Sequence, residues 1–196
     1  MQPIERAQIQ AFLSSLPFVE DSVRDTLLSS AQISRHQKGE LIIVAGQDAY
    51  QPSILLSGLI RVFFLNAAGA EVTNLFILEK TFYGADFLTM KKASVCSFEA
   101  LEDCVSLVLN REVLQSVLKQ NIRLLLAYTG VLEQSLNRKI LRENALITKT
   151  ATERYLALKH AYPQIEKRVN QTQIASYLGI TPVSLSRIRR GIREEN

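Results

Sequence analysis

One short segment near the end of the chain carries two helix starts with a helix stop between them. In "NQTQIASYLGITPVSLSRIRRGIRE", Asn170 precedes Gln173 by three residues, the spacing of a capping box, so a helix can begin at Gln171. Ile174, Ala175 and Leu178 give that helix one apolar face, and Gly179 is a natural stop. Thr181 then offers a second N-cap, and Pro182 suits the first helical position. The second helix is predicted from Pro182 to about Glu194, with the small Ala175 permitting a close crossing. Few folds accept this punctuation; a helix-turn-helix does. Other compact helical hairpins share the spacing, so the faces of the second helix must discriminate.

At ~100° per residue, Leu185, Ile188 and Ile192 fall within one arc of about 60°. The opposite side displays Val183, Ser186, Arg187 and Arg190, with Ser184, Arg189 and Arg193 on the flanks. A recognition helix has this layout, with small and basic residues towards base edges and flanking arginines towards phosphates. Arg187 is the first candidate for base reading, because a guanidinium can grip guanine O6 and N7 together. A merely solvated helix would mix its charges, whereas here acids occur only at Glu194 and Glu195. The expected DNA-binding set is Thr181, Val183, Ser184, Ser186, Arg187, Arg189, Arg190 and Arg193.

The net charge of +4 over 196 residues conceals an asymmetry. From Arg138 onward there are 12 basic and 5 acidic residues, leaving 11 basic and 14 acidic before it. An acidic front with a basic tail suits a sensor joined to a nucleic-acid reader. No apolar run is long enough to cross a bilayer, and "MQPIERAQIQ" has no apolar signal core, so a cytoplasmic location is expected.

Upstream, residues 3–31 read as short helices, with Ile9, Phe12, Leu13 and Leu16 at helical spacing. From about Gln37 to Leu109 the texture becomes short β-rich runs separated by turn residues, which predicts an antiparallel barrel or roll. "LNAAGAEV" reads as a hairpin in which Gly69 takes positive φ. Cys96 and Cys104, eight apart, are placed on one face of one strand, too distant to bridge. Asn110 is the expected N-cap of a helix over "REVLQSVL". Ile122, Leu125, Thr129, Leu132 and Leu136, extended by Ile140, then follow alternating three- and four-residue steps, a coiled-coil seam about 40 Å long. That seam is the expected dimer interface. A further helix starts near Thr150 and ends before Pro163. The expected domains are 1–147 and 148–196.

This order of parts resembles the Crp/Fnr superfamily of transcription regulators over nearly the whole chain. "HQKGELIIVAGQ" and "ILLSGLIRVFFLNAAGAEV" resemble the first strands of the cyclic-nucleotide-binding β-roll. "FYGADFLT" resembles the phosphate-cassette region, and "FEALEDCVSLVLNREVLQSVL" begins like the strand after that cassette. "ATERYLALKHAYPQI" with "VNQTQIASYLGITPVSLSRIRR" resembles the DNA-binding module. The resemblance implies an α+β chain: an N-terminal antiparallel β-roll with flanking helices, a long dimerisation helix, and a small helical helix-turn-helix domain. It also implies three partners: an inverted-repeat operator in double-stranded DNA, a second copy of the chain, and RNA polymerase.

It implies, further, an effector pocket around Gly84, Ala85, Asp86, Val95 and Cys96. Members that bind a cyclic nucleotide hold the ribose with a Gly-Glu pair and the phosphate with an arginine. Here Ala85 stands at the glutamate position and Val95 about where the arginine belongs, while Lys91 and Lys92 are nearby cations. Burying a phosphate without a paired cation costs several kcal/mol. A small-molecule effector is therefore expected to be something other than cyclic AMP, or the roll is only a scaffold. Two cysteines cannot supply an iron–sulfur cluster, and His36 could serve as a haem axial ligand, although a lone histidine in a polar context is ordinarily just surface. The leading reading is a homodimeric DNA-binding regulator. The alternative is a ligand-binding or protein-interaction module that has lost specific DNA reading. No nucleophile–base pair, metal-ligand spacing or P-loop supports an enzyme.

Overall fold

Short alternating runs between turn residues build two four-stranded sheets. One has the order β1 (Gln32–His36), β8 (Cys104–Val108), β3 (Ser53–Ser57), β6 (Phe82–Tyr83). The other has β2 (Leu41–Ile43), β7 (Ser97–Ala100), β4 (Ile60–Leu65), β5 (Glu71–Ile77). Every pairing is antiparallel. The computed structural model describes Ile9 and residues 20–47, 51–84 and 93–194.

The two-residue period decides what faces inward. Ile60, Val62, Phe98 and Ala100 join Ile43, Leu55, Ile77 and Tyr83 in the roll's core. Arg61 and Glu99, which alternate with them, pair directly across β4 and β7 on the outer face, with Nε 2.7 Å from Oε2. Glu71 also accepts from Arg61. The β4–β5 hairpin closes as expected: Asn66 Oδ1 accepts from Ala68 and Ala70 N–H, and Gly69 takes φ +77°. At Gly58 (φ +97°) a Cβ would lie 2.7 Å from the Asp103 carbonyl oxygen.

The cysteines are a correction. Cys96 precedes β7 in the second sheet, whereas Cys104 opens β8 in the first, and the two form no disulfide. The chain changes sheets at Leu101–Asp103, so an even count across that corner carries no facing information.

Asn110 caps α2 (Arg111–Gln120) and Asn121 caps α3 (Ile122–Thr148), each side chain accepting an N–H three residues on at 2.9 Å. With α1 (Asp21–Ser29), α2 packs on the first sheet through Leu27, Ile54, Leu107, Leu114 and Leu118. Ile9 is buried in the same cluster, while Phe12, Leu13 and Leu16 lie outside the described residues.

After α3 come α4 (Ala151–Ala161), α5 (Ile165–Arg168), α6 (Gln171–Leu178) and α7 (Pro182–Glu194). Thr150 and Glu153 form a full capping box on α4. The core of these helices is shared with the roll: Leu59, Phe76 and Leu101 cluster with Tyr155, Leu158, Ile174, Leu178 and Leu185. β5 is an edge strand, and α6 covers it. Ser176 Oγ accepts from Thr73 N–H at 2.9 Å and donates to the Glu71 carbonyl at 3.3 Å. Arg142 Nη2 of α3 donates to the Thr73 carbonyl at 3.2 Å. Nearby, Arg168 forks between Glu102 (2.7 Å) and Glu79 (2.6 Å). Glu102 thus ties the roll to the C-terminal helices, because the corner that exposes it is where α5 docks.

Candidate nucleic-acid interface

The helix-turn-helix is held by the caps its sequence supplies. Asn170 Oδ1 accepts from Gln173 N–H at 2.9 Å. Gly179 sits at φ +69°, and the Gly179 and Ile180 N–H groups close on the Ser176 and Ala175 carbonyls. Thr181 Oγ1 accepts from Ser184 N–H at 3.1 Å, which starts α7. Leu185 is fully buried, with Ile188 and Ile192 packed beside it, so the opposite face of α7 points to solvent.

That face presents Val183, Ser186, Arg187, Arg190 and Arg193, all exposed. Among the described residues no hydrogen-bond or ion-pair partner lies against Arg187, Arg190 or Arg193. Three cations on one helix, none of them ion-paired among the described residues and with Glu194 as the acid at the helix end, make a surface suited to a polyanion. Thr181 and Ser184 stand at its upstream end, where their hydroxyls pair with each other at 2.9 Å.

Arg189 is set apart from this group. Its Nη2 pairs with Glu166 Oε1 at 2.7 Å, and Tyr155 O–H donates to the same oxygen at 2.6 Å. Burial pulls the Glu166 carboxyl up, but the Tyr155 hydrogen bond and the Arg189 charge outweigh it and hold its pKa below the usual value. Burial, with the Glu166 charge, pushes the Tyr155 hydroxyl up. These groups border an open cleft of about 270 Å³ with Lys159, Ile192 and Arg193. A helical wheel puts Arg189 on a flank, but its partner Glu166 lies 23 positions upstream and no periodicity reveals it.

The expected effector-pocket residues scatter. Gly84 is buried at the end of β6 with φ +72°. Val95 is 65% exposed, while Cys96 packs against the roll core. Ala85, Asp86, Lys91 and Lys92 lie outside the described residues. The loop before β7 is stitched to the loop after β2: the Ser94 carbonyl accepts from Gly46 N–H at 2.7 Å, and Ser97 Oγ from Ala45 N–H at 3.0 Å. His36 uses both ring nitrogens, one on Ser34 Oγ at 2.8 Å and one on Glu40 at 2.6 Å. Glu40 is held below its usual pKa, chiefly by that bond.

Along α3, Leu124, Tyr128 and Arg142 turn towards the chain's own body. The other side carries Ile122 (66% exposed), Leu125, Thr129, Leu136, Ile140 (54%) and Ile147 (79%). Leu132 sits at the border of the two faces, half-buried. One side of this helix is thus packed and the other is an uncovered apolar stripe.

Residues 33–121 match the cyclic nucleotide-binding domain family in sequence. In structure the chain is similar to FixK2 from Bradyrhizobium japonicum, with 18% identity over 84% of this chain and 85% of that one, at a TM-score of 0.73. It is equally similar (TM-score 0.73) to CLP, the c-di-GMP responsive global regulator of Xanthomonas campestris, with 14% identity over 90% and 93% of the two chains. A Crp/Fnr-family regulator from Eubacterium rectale gives 15% identity over 90% and 85%, also with a TM-score of 0.73. No curated protein matches the chain in sequence. Two sheets wrapped on one core, a long helix and a helix-turn-helix in this order agree with that likeness: residues 33–121 are similar to a cyclic nucleotide-binding domain, and the chain has the fold of the Crp/Fnr transcription regulators.

Proposed function

We propose that this protein is a homodimeric, sequence-specific DNA-binding transcription regulator. Residues 1–147 form its effector-sensing and dimerising part and residues 148–196 its DNA-binding part, and it works in the cytoplasm. The observation that carries the reading is the outward face of α7, where Arg187, Arg190 and Arg193 stand without partners among the described residues beside Val183 and Ser186. Arg187 is the base reader, and Arg190 and Arg193 hold phosphates. Arg189, engaged by Glu166, braces α7 from behind. The stripe from Ile122 to Ile147 supports dimerisation, because an apolar seam of this length needs a second surface. Nothing in the reading calls for catalysis.

The effector pocket is not tuned to cyclic AMP. Val95, about where the family's phosphate-binding arginine stands, is exposed and uncharged, and Arg61 turns outward to Glu71 and Glu99. A small molecule of another shape is the expected effector. Selection from random duplexes tests the DNA reading. It should enrich an inverted repeat with half-sites about 34 Å apart. Binding to that repeat should weaken linearly in log–log form as salt rises. Enrichment of no repeat would overturn the reading.

A further inference from the structure

Gln171, the first residue of α6, reaches across the turn to α7. Its Nε2 donates to the Pro182 carbonyl at 2.8 Å and to Ser186 Oγ at 3.0 Å, while its Oε1 accepts from Arg189 Nη1 at 3.5 Å. Chemistry fixes the orientation of this amide. A carbonyl can only accept and a guanidinium can only donate, so the NH2 end faces Pro182 and the oxygen faces Arg189. Arg189 is itself pinned by Glu166.

A helical serine ordinarily gives its hydroxyl proton to the carbonyl three or four residues back. For Ser186 the carbonyl four back is Pro182, which already takes the Gln171 amide and, by the helical pattern, the N–H of Ser186. Both its lone pairs are occupied. Among the described residues Ser186 Oγ makes no bond to the Val183 carbonyl three back. Ser186 Oγ therefore accepts from Gln171 and keeps its proton to give, on the exposed face between Val183 and Arg190.

We infer that Gln171 is a specificity-determining positioning residue: by fixing Ser186 as a donor, it makes this serine read an acceptor on a base edge. The inference rests on the DNA reading above and deepens it. A free hydroxyl pairs with donors and acceptors alike and discriminates little. With one lone pair filled by Gln171 and its proton free, the hydroxyl favours purine N7, guanine O6 or thymine O4 over cytosine, whose major-groove edge offers only the N4 amino group and would have to use the one remaining lone pair.

The test is selection from random duplexes with the full chain, comparing wild type, Gln171→Ala, Gln171→Glu and Ser186→Ala, with circular dichroism melts to verify folding. In the wild type, one position in each half-site should be depleted in cytosine. Gln171→Ala and Ser186→Ala should relax that position about five- to tenfold and leave the others alone. A glutamate offers only acceptors, so in Gln171→Glu the serine proton turns inward and the same position should now favour cytosine or adenine amino groups. Should that variant fail to fold, Gln171→Met, equal in length and without a donor, supplies the relaxation. If wild type selects a repeat and the Gln171 variants leave its every position unchanged, this role is wrong while the DNA reading stands. If wild type selects nothing, both fall.

Discussion

The guanidinium carbon of Arg142 lies 4.1 Å from the ring centre of Tyr177, so the long helix grips the first helix of the helix-turn-helix through a single stacked cation. The same group donates to the Thr73 carbonyl of the roll. Three parts of the fold meet at one side chain. Arg142→Ala should lower stability by about 1–3 kcal/mol in a urea titration, from the lost stack and the lost charged hydrogen bond. Arg142→Lys should recover only part of this, since an ammonium cannot stack as a plane.

Leu136→Asp and Ile140→Asp should each produce monomers in sedimentation without loss of helix signal, because both positions point away from the chain's own body. Tight operator binding should disappear with the dimer. A variant that stays dimeric at micromolar concentration would move the interface elsewhere. Leu132 is the poorer probe, since its half-buried side chain would confound assembly with folding.

The Arg168 fork predicts a pH dependence. Burial pulls the Glu79 carboxyl up, but the hydrogen bond and charge of Arg168 outweigh it, so its folded pKa lies below the usual value. Its stabilisation is then fully present above the unfolded carboxylate pKa of about 4.3 and lost as pH falls through the folded value. Urea stability measured from about pH 6 downward should fall more steeply for wild type than for Arg168→Gln in the carboxylate range. Parallel curves would show that the fork contributes nothing.

Cyclic AMP at tens of micromolar should leave the melting temperature unchanged. A bound nucleotide at a hundredfold excess over Kd would stabilise the fold by about 2.7 kcal/mol, which a thermal melt resolves easily. A saturable shift would assign the missing roles to residues near Lys91 and Lys92.

Two glycines should respond differently to alanine. At Gly179 the new Cβ would meet Leu146 at an ordinary 3.5 Å, so the cost is the left-handed backbone alone, about 1–2 kcal/mol. At Gly58 the Cβ would press on the backbone of Asp103 as well, adding overpacking for a total of about 2–5 kcal/mol. Equal denaturation midpoints for the two variants would contradict this.

The helix-turn-helix was legible almost residue by residue because its limits are local: Asn170, Gly179, Thr181 and Pro182 each act within a turn of themselves. The hairpin at Gly69 was legible for the same reason. Cys96 and Cys104 were misplaced because strand alternation says nothing across a corner between sheets. The contacts of Arg168, Ser176 and Arg142 join positions 66 to 105 residues apart, and no period in the sequence encodes them. In the candidate site the exposed arginines followed from the apolar arc of Leu185, Ile188 and Ile192. The withdrawal of Arg189 depended on a glutamate in another helix.

The cover that α6 lays on β5 constrains how this molecule can move. A bared edge strand is a template: the unpaired N–H and C=O of Thr73 would recruit any passing strand, and the chain would aggregate. Swinging α6, and α7 with it, free of the roll is therefore hazardous in a way that turning them in place is not. Under the proposed DNA reading, adjustment to an operator would be a roll or slide of α6 on β5, within what Ser176 and Arg142 can follow, or else a second surface would have to take the strand as α6 leaves it.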